Sequence, residues 1–211
     1  ATHGELLDSV RNAATFPAKL PPLVSCTPPL GWPLPSVSVS LDSYMRLGDN
    51  SGTALLRDPG CLNAHIILLC QHLSEQNVVY AEIRCSPANY STTDRSPWTV
   101  LCDIKQEIDA CMQKYNIHIN LILIATRKEK GDFRVDIARH LALAVTASEH
   151  WTNPYMCRVV GVDLAGFEGK ESRAEYFRDE FVGVHRCGLA LTVHSGENDD
   201  AGGIWSAVFD L

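Results

Sequence analysis

Positive charge is scarce in this chain: 18 Lys and Arg stand against 25 Asp and Glu, for a formal net charge of −7. No broad basic field of the kind that tracks nucleic-acid phosphates can form, and a small-molecule partner fits better. Closely spaced cysteines are lacking too. The eight thiols, at positions 26, 61, 70, 85, 102, 111, 157 and 187, include no pair with the spacing of a zinc knuckle or a redox motif. Most lie in apolar runs, which reads as reduced core cysteines of a cytoplasmic protein and not as a disulfide framework. No apolar run approaches the ~20 residues needed to cross a membrane, and the N-terminus lacks the ordered regions of a signal peptide. We therefore expect a cytoplasmic chain with no membrane partner. Neither G-x-G-x-x-G nor G-x-x-x-x-G-K-[ST] occurs, which lowers the case for a nucleotide-binding open sheet.

What is present is apolar content: 45% of the 211 residues are hydrophobic, enough to bury a core as one domain or as part of a larger one. Residues 5–16 have the apolar spacing of a short helix. Pro17, Pro21, Pro22, Pro28, Pro29, Pro33 and Pro35 then break any regular element. From Leu41 to about Gln76 the spacing is helical again, most clearly in CLNAHIILLCQHLSEQ. We place a helical and Pro-rich N-terminal region at 1–60 and a barrel-like region at 61–211.

Within 61–211 four apolar runs are each followed by a helical pattern: VVYAEIRCS from Val78, HINLILIATR from His118, RVVGVDLAG from Arg158 and LALTVHSGE from Leu189. Their starts lie 40, 40 and 31 residues apart, the length of successive units in a (β/α)8 TIM-type barrel. About four units are present. Side chains alternate along a strand, so Leu189, Leu191 and Val193 form one face and Thr192 and His194 the other. By the same rule Val160, Val162 and Leu164 face the helices and Asp163 turns inward. Glu82, Arg84 and Ser86 share a face of the first strand, His118 and Asn120 a face of the second. Convergent polar groups near the C-terminal ends of parallel strands mark a site in barrels and in open sheets alike.

LTVHSGEND carries the strongest chemistry. An inward His ends a strand and a Glu follows three positions later on a Gly-containing turn, so an imidazole suited to a zinc-like ion and a carboxylate suited to proton transfer share one mouth. A strand-end His satisfied by a backbone carbonyl is the plainer alternative. Glu82 and Arg84 read as an internal ion pair at the barrel mouth or as residues shaping the substrate pocket, His118 as a satisfied core histidine, and Arg127 to Asp132 (RKEKGD) as a solvated loop or as basic residues meeting substrate phosphates.

VVYAEIRCSP, VVGVDLAGFE and LTVHSGEND, in this order and spacing, resemble segments of adenosine deaminases. The resemblance covers roughly residues 60–211. It implies a (β/α)8 barrel, one divalent metal (Zn2+) per complete site and hydrolytic loss of the 6-amino group of adenine. It further implies that His194 is a metal ligand, that Glu197 is the catalytic group protonating a purine ring nitrogen, that Gly166 contacts the purine through its backbone, and that Asp163 orients that loop. Such enzymes also carry an H-x-H pair on the first strand, a His on the strand after H-[AS]-G-E and a later Asp, none of which occurs here. We accordingly expect the chain to be an incomplete part of the barrel, inactive alone. The H-x-E and P-C-x-x-C pair of the cytosine and transfer-RNA deaminases is missing.

The expected activity is metal-dependent hydrolytic deamination of adenine in a nucleoside or nucleotide, adenosine or an ATP-like substrate, with RNA not favoured. A bacterial antiviral setting and a homo-oligomer or larger assembly stay open. The alternative is a catalytically silent barrel serving as an assembly or binding component. A glycosidase using Glu82 and Glu197 has the right residue types but no support from the resemblance.

Overall fold

Parallel strands covered on both faces read as almost unbroken apolar runs, and HINLILIATR is the fullest example here. In the computed structural model, which describes residues 52–128 and 133–211, this run is β2 (His118–Arg127). It lies between β1 (Tyr80–Cys85) and β3 (Val159–Gly166), with β4 (Ala190–Val193) beyond β3. All three pairings are parallel, and the order β1-β2-β3-β4 follows the chain. A doubly wound sheet reverses its order at a switch point. The four strands here show no reversal, as expected of consecutive units of a (β/α) barrel.

The chain divides into two compact units, separated in sequence between Leu69 and Cys70. The first contributes α1 (Gly52–Leu55) and most of α2 (Pro59–Glu75). Asp58 starts α2 by accepting the Cys61 N–H at 2.9 Å. The second unit holds the sheet together with α3 (Pro87–Tyr90), α4 (Pro97–Tyr115), α5 (Phe133–His150), α6 (Arg178–Arg186) and α7 (Ala201–Phe209). Two 3-10 turns, Lys170–Ser172 and Ala174–Phe177, precede α6.

Local chemistry sets these boundaries. Ser96 caps α4 through the Thr99 N–H at 3.1 Å, Pro97 opens the helix, and Asn116 closes it in the left-handed region at φ 51°. Val100, Leu101, Ile104, Ile108, Cys111 and Met112 recur at helical spacing and are buried. Ile119, Leu121, Leu123 and Ala125 form one buried face of β2, and Phe177, Phe181 and Val184 are buried on the segment leading into and along α6. Polar ties lock the layers. Asp109 of α4 accepts the Cys157 N–H at 2.7 Å, and Asn120 of β2 accepts the Arg158 N–H at 3.1 Å, both just before β3.

Two expectations change. Arg127 does not belong to a solvated loop: it ends β2 and is 2% exposed, because its guanidinium finds three backbone carbonyls inside the fold. Lys128, the next residue, is exposed and pairs with Asp136; residues 129–132 lie outside the described residues. Glu82 and Arg84 do not pair with each other. The Tyr80 hydroxyl donates to Glu82 at 2.6 Å, while Arg84 reaches Asp163, a fully buried carboxylate with the greater need of a cation. The readings of residues 5–16 and of the Pro-rich stretch also fall outside the described residues. Of the described cysteines, Cys61, Cys70, Cys85, Cys111 and Cys157 are buried and Cys187 is exposed. No helix among the described residues is long and apolar enough to cross a membrane.

His140 of α5 is buried and its Nδ1 accepts the Thr126 N–H at 3.2 Å, tying helix to sheet. Burial lowers its pKa below the ordinary histidine value of 6.5, against the opposing pull of Asp136. A depressed folded-state pKa means that the unfolded chain binds the proton more readily, so stability falls as pH drops from the unfolded value toward the folded one. Thermal unfolding at pH 7.5 and 5.5 should show a lower midpoint at the acidic end, and a smaller drop in His140→Gln. An equal drop in both proteins would remove His140 as a source of that acid sensitivity.

Candidate active site

Asp163, on β3, has no solvent exposure, and its carboxylate must be matched by donors inside the fold. Both of its oxygens lie 3.1 Å from His194 Nδ1, and Arg84 Nε stands 3.2 Å from Oδ2. β1, β3 and the end of β4 therefore meet at one buried charge. A carboxylate only accepts hydrogen bonds, so Nδ1 of His194 carries the proton and Nε2 presents its lone pair. The His194 N–H donates to the Leu164 carbonyl at 2.9 Å, extending the β3–β4 ladder one residue past Val193. The His194 side chain is 36% exposed.

His194 is held from behind as well. Arg127 donates from Nη2 to the His194 carbonyl at 2.8 Å, from Nη1 to that of Ser172 at 3.1 Å and from Nε to that of Ala165 at 3.4 Å. Burial lowers the Arg127 pKa, while Glu168, Asp163, Glu197 and Asp199 act to raise it. It stays a cation.

Glu168 follows β3 and is 4% exposed. Its carboxylate accepts the N–H groups of Gly196 at 2.6 Å, Glu197 at 2.7 Å and Asn198 at 2.9 Å. Burial pushes its pKa up, but those three donors and the Ser195 hydroxyl pull harder and hold it below the usual carboxylate range. Glu197 itself is exposed. Farther along the same loop, Arg173 grips Asp199 at 2.5 and 3.0 Å and Asp200 at 2.6 Å. This hydrogen bonding depresses the Asp199 pKa to about 2. Asp200 then caps α7 through the Gly202 N–H at 2.8 Å.

Gly166 ends β3 at φ +94°, and an added Cβ would fall 2.3 Å from the Arg127 carbonyl oxygen. Only glycine suits that position. The structure thus brings Asp163 and His194 into contact and puts Gly166 and Glu197 on the adjoining segments. Arg84 joins them at Asp163, whereas His118 and Asn120 stand apart. His118 stacks on Tyr80 with centroids 5.8 Å apart, and Asn120 lies 3.4 Å from both, where β1 and β2 begin. Strand parity gives a side chain's face but not the end of the sheet at which it acts. Arg127 and Glu168 were missed as site residues. Their signals were a lone Arg closing an apolar strand and a Glu two residues past the D-L-A-G segment.

Among the described residues no three His, Cys, Asp or Glu side chains cluster as a metal site. His194 fits one ligand position: an imidazole backed by a buried carboxylate is the arrangement that orients metal-bound histidines.

A family model described as Adenosine deaminase matches residues 34–211, starting well before the motifs from which the likeness was read. An adenosine deaminase of Haemophilus ducreyi is 28% identical over 165 residues, covering 78% of this chain and 46% of that protein. One from Shewanella loihica is 31% identical over 133 residues, covering 63% and 37%. The chain spans about half or less of the length of these curated relatives. Among solved structures, an adenine deaminase from Arthrobacter aurescens superposes with a TM-score of 0.63 at 16% identity, over 82% of this chain and 49% of that one. An amidohydrolase from Burkholderia ambifaria with bound Zn gives 0.57 at 18% identity, over 74% and 42%. The sheet order fits and the match runs across most of the sequence: the chain belongs to the adenosine deaminase family.

Proposed function

We propose that the natural polypeptide containing this chain hydrolyses the 6-amino group from adenine in a nucleoside or nucleotide, giving ammonia and the inosine-type product. The observation that carries this reading is the buried Asp163 engaging Nδ1 of His194, a part-exposed imidazole just past the C-terminal end of a barrel strand. His194 would hold a single zinc ion together with ligands from outside the described residues. When bound, the ion supplies a water acidified toward neutral pH.

Glu197 would carry the proton traffic. As the water oxygen adds to C6, the Glu197 carboxyl gives its proton to the neighbouring ring nitrogen and takes one from the water; the C6–N bond then breaks as the remaining hydroxyl proton passes to the amino group, which leaves as ammonia while the oxygen stays on C6 as a carbonyl. Gly166, lacking a side chain, allows the purine to approach its backbone. The cysteines buried in the fold agree with a reducing, cytoplasmic setting.

The test compares variants of the full-length polypeptide for zinc content and for ammonia release from adenosine, AMP, ATP and an adenine-containing RNA. His194→Ala should lose both metal and turnover, while Glu197→Gln should keep the metal and lose about 100-fold or more in kcat. Full activity in Glu197→Gln would sink its assignment. A wild-type polypeptide with neither metal nor turnover would leave the silent-barrel reading in its place. A preference for ATP would align it with nucleotide-deaminating antiviral systems.

Asp163 supplies an independent check. Asp163→Asn removes the charge that holds the imidazole, so zinc affinity measured against a competing chelator should weaken by about 10–100-fold. Unchanged affinity would mean that the pair does not prepare His194 for a metal.

A further inference from the structure

The turn at residues 194–198 carries both His194 and Glu197, yet it is not held by sheet or helix hydrogen bonds beyond the first of these residues. Two buried side chains of opposite charge hold its backbone instead. Arg127, from the end of β2, donates to the His194 carbonyl, and Glu168, from the loop after β3, accepts from three successive N–H groups. Bonds in which one partner is ionised are the stronger kind, and here four of them act on five residues.

The geometry around Glu168 has a second feature. Gly196 sits at φ +88°, and a left-handed residue in such a run turns consecutive N–H groups toward one point. Concavities of this type ordinarily bind an anion. In this chain the Glu168 carboxylate fills it. With three backbone donors and the Ser195 hydroxyl around it, this carboxylate is already engaged within the protein. The Arg127 guanidinium is likewise engaged by the carbonyls of Ala165, Ser172 and His194.

We propose that Arg127 and Glu168 are positioning residues: together they clamp the His194–Asn198 turn and so set where the Glu197 carboxylate stands relative to the adenine ring. Arg127 fixes the start of the turn at the imidazole, and Glu168 fixes its crest at Glu197. The inference rests on the proton-transfer role proposed for Glu197, and it adds residues that never meet substrate.

The experiment uses the full-length, zinc-loaded polypeptide. It measures amide hydrogen exchange at Gly196, Glu197 and Asn198, zinc content, and kcat and KM for adenosine in wild type, Glu168→Gln, Glu168→Asp and Arg127→Lys. Glu168→Gln retains the shape but only one acceptor oxygen, so exchange at the three amides should speed up by about tenfold or more. Its kcat should fall by about 100-fold through displacement of Glu197, with KM and zinc content within about twofold of wild type. Glu168→Asp keeps the charge on a shorter stem and should lie between Gln and wild type in both exchange and kcat. Arg127→Lys loses the planar fork and should raise exchange and lower kcat in parallel.

A Glu168→Gln enzyme with fast-exchanging amides and normal kcat would overturn the proposal, as would unchanged exchange. Equal loss of kcat, KM and zinc would assign Glu168 a general structural role and also overturn it. If Glu168→Gln does not fold, the same comparison in Glu168→Asp and Arg127→Lys decides. A wild type that protects the three amides but deaminates nothing would refute the proposed reaction while showing the clamp intact, which separates the two failures.

Discussion

A carboxylate with no access to water is the constraint on which this structure turns. Asp163 sits at the centre of a parallel sheet, where an uncompensated charge would be very costly. The fold answers with a hydrogen bond from His194 after β4 and an ion pair with Arg84 of β1. The two differ in consequence. Arg84 remains half-exposed and simply balances charge, whereas His194 has its tautomer decided for it. A burial requirement in the core thus commits Nδ1 of a part-exposed imidazole and leaves Nε2 as its other nitrogen.

The same logic recurs one layer away with the signs reversed. Arg127 is a buried cation at the end of β2, and the carboxylates that stabilise its charge include Glu168 and Asp163. None of its three hydrogen bonds described above goes to a side chain; all go to carbonyls at places where the chain leaves regular structure. Glu168 does the complementary work on N–H groups. Ends of strands leave orphan backbone groups that water cannot always reach. A buried Arg and a buried Glu satisfy both kinds while offsetting one another electrostatically.

Much of the sheet was legible because period-two alternation and repeat spacing are strong signals in a parallel barrel. All four strands fall within the expected runs, and parity correctly turned Asp163 and His194 to the same side. The consecutive strand order follows from the barrel expectation and not from the strand pattern alone, since alternating strands and helices serve barrels and open sheets equally. Long-range partners were the weaker part. Arg84 was put on the right face but matched to Glu82, its neighbour by parity, because sequence shows proximity along a strand and not the unmet charge two strands away. Arg127 reads in sequence as part of a solvated loop because it opens a charged run. Its burial depends on three carbonyls drawn from distant positions, and no local pattern announces them.

The carboxylates around the loop can be sorted by what each already holds. Asp163 serves His194 and Arg84; Glu168 is engaged by the turn backbone; Asp199 is bound to Arg173 and Asp200 caps α7. Each of these would have to break an existing contact before it could exchange a proton with a ligand. Glu197 differs: its backbone N–H is fixed by Glu168 while its side chain is exposed. A general acid must combine a fixed origin with a free carboxyl, because proton transfer needs close approach and the right protonation state at once. By that criterion Glu197 is the group of this loop that the proposed proton transfer would use, and the engaged carboxylates around it would hold its backbone in place.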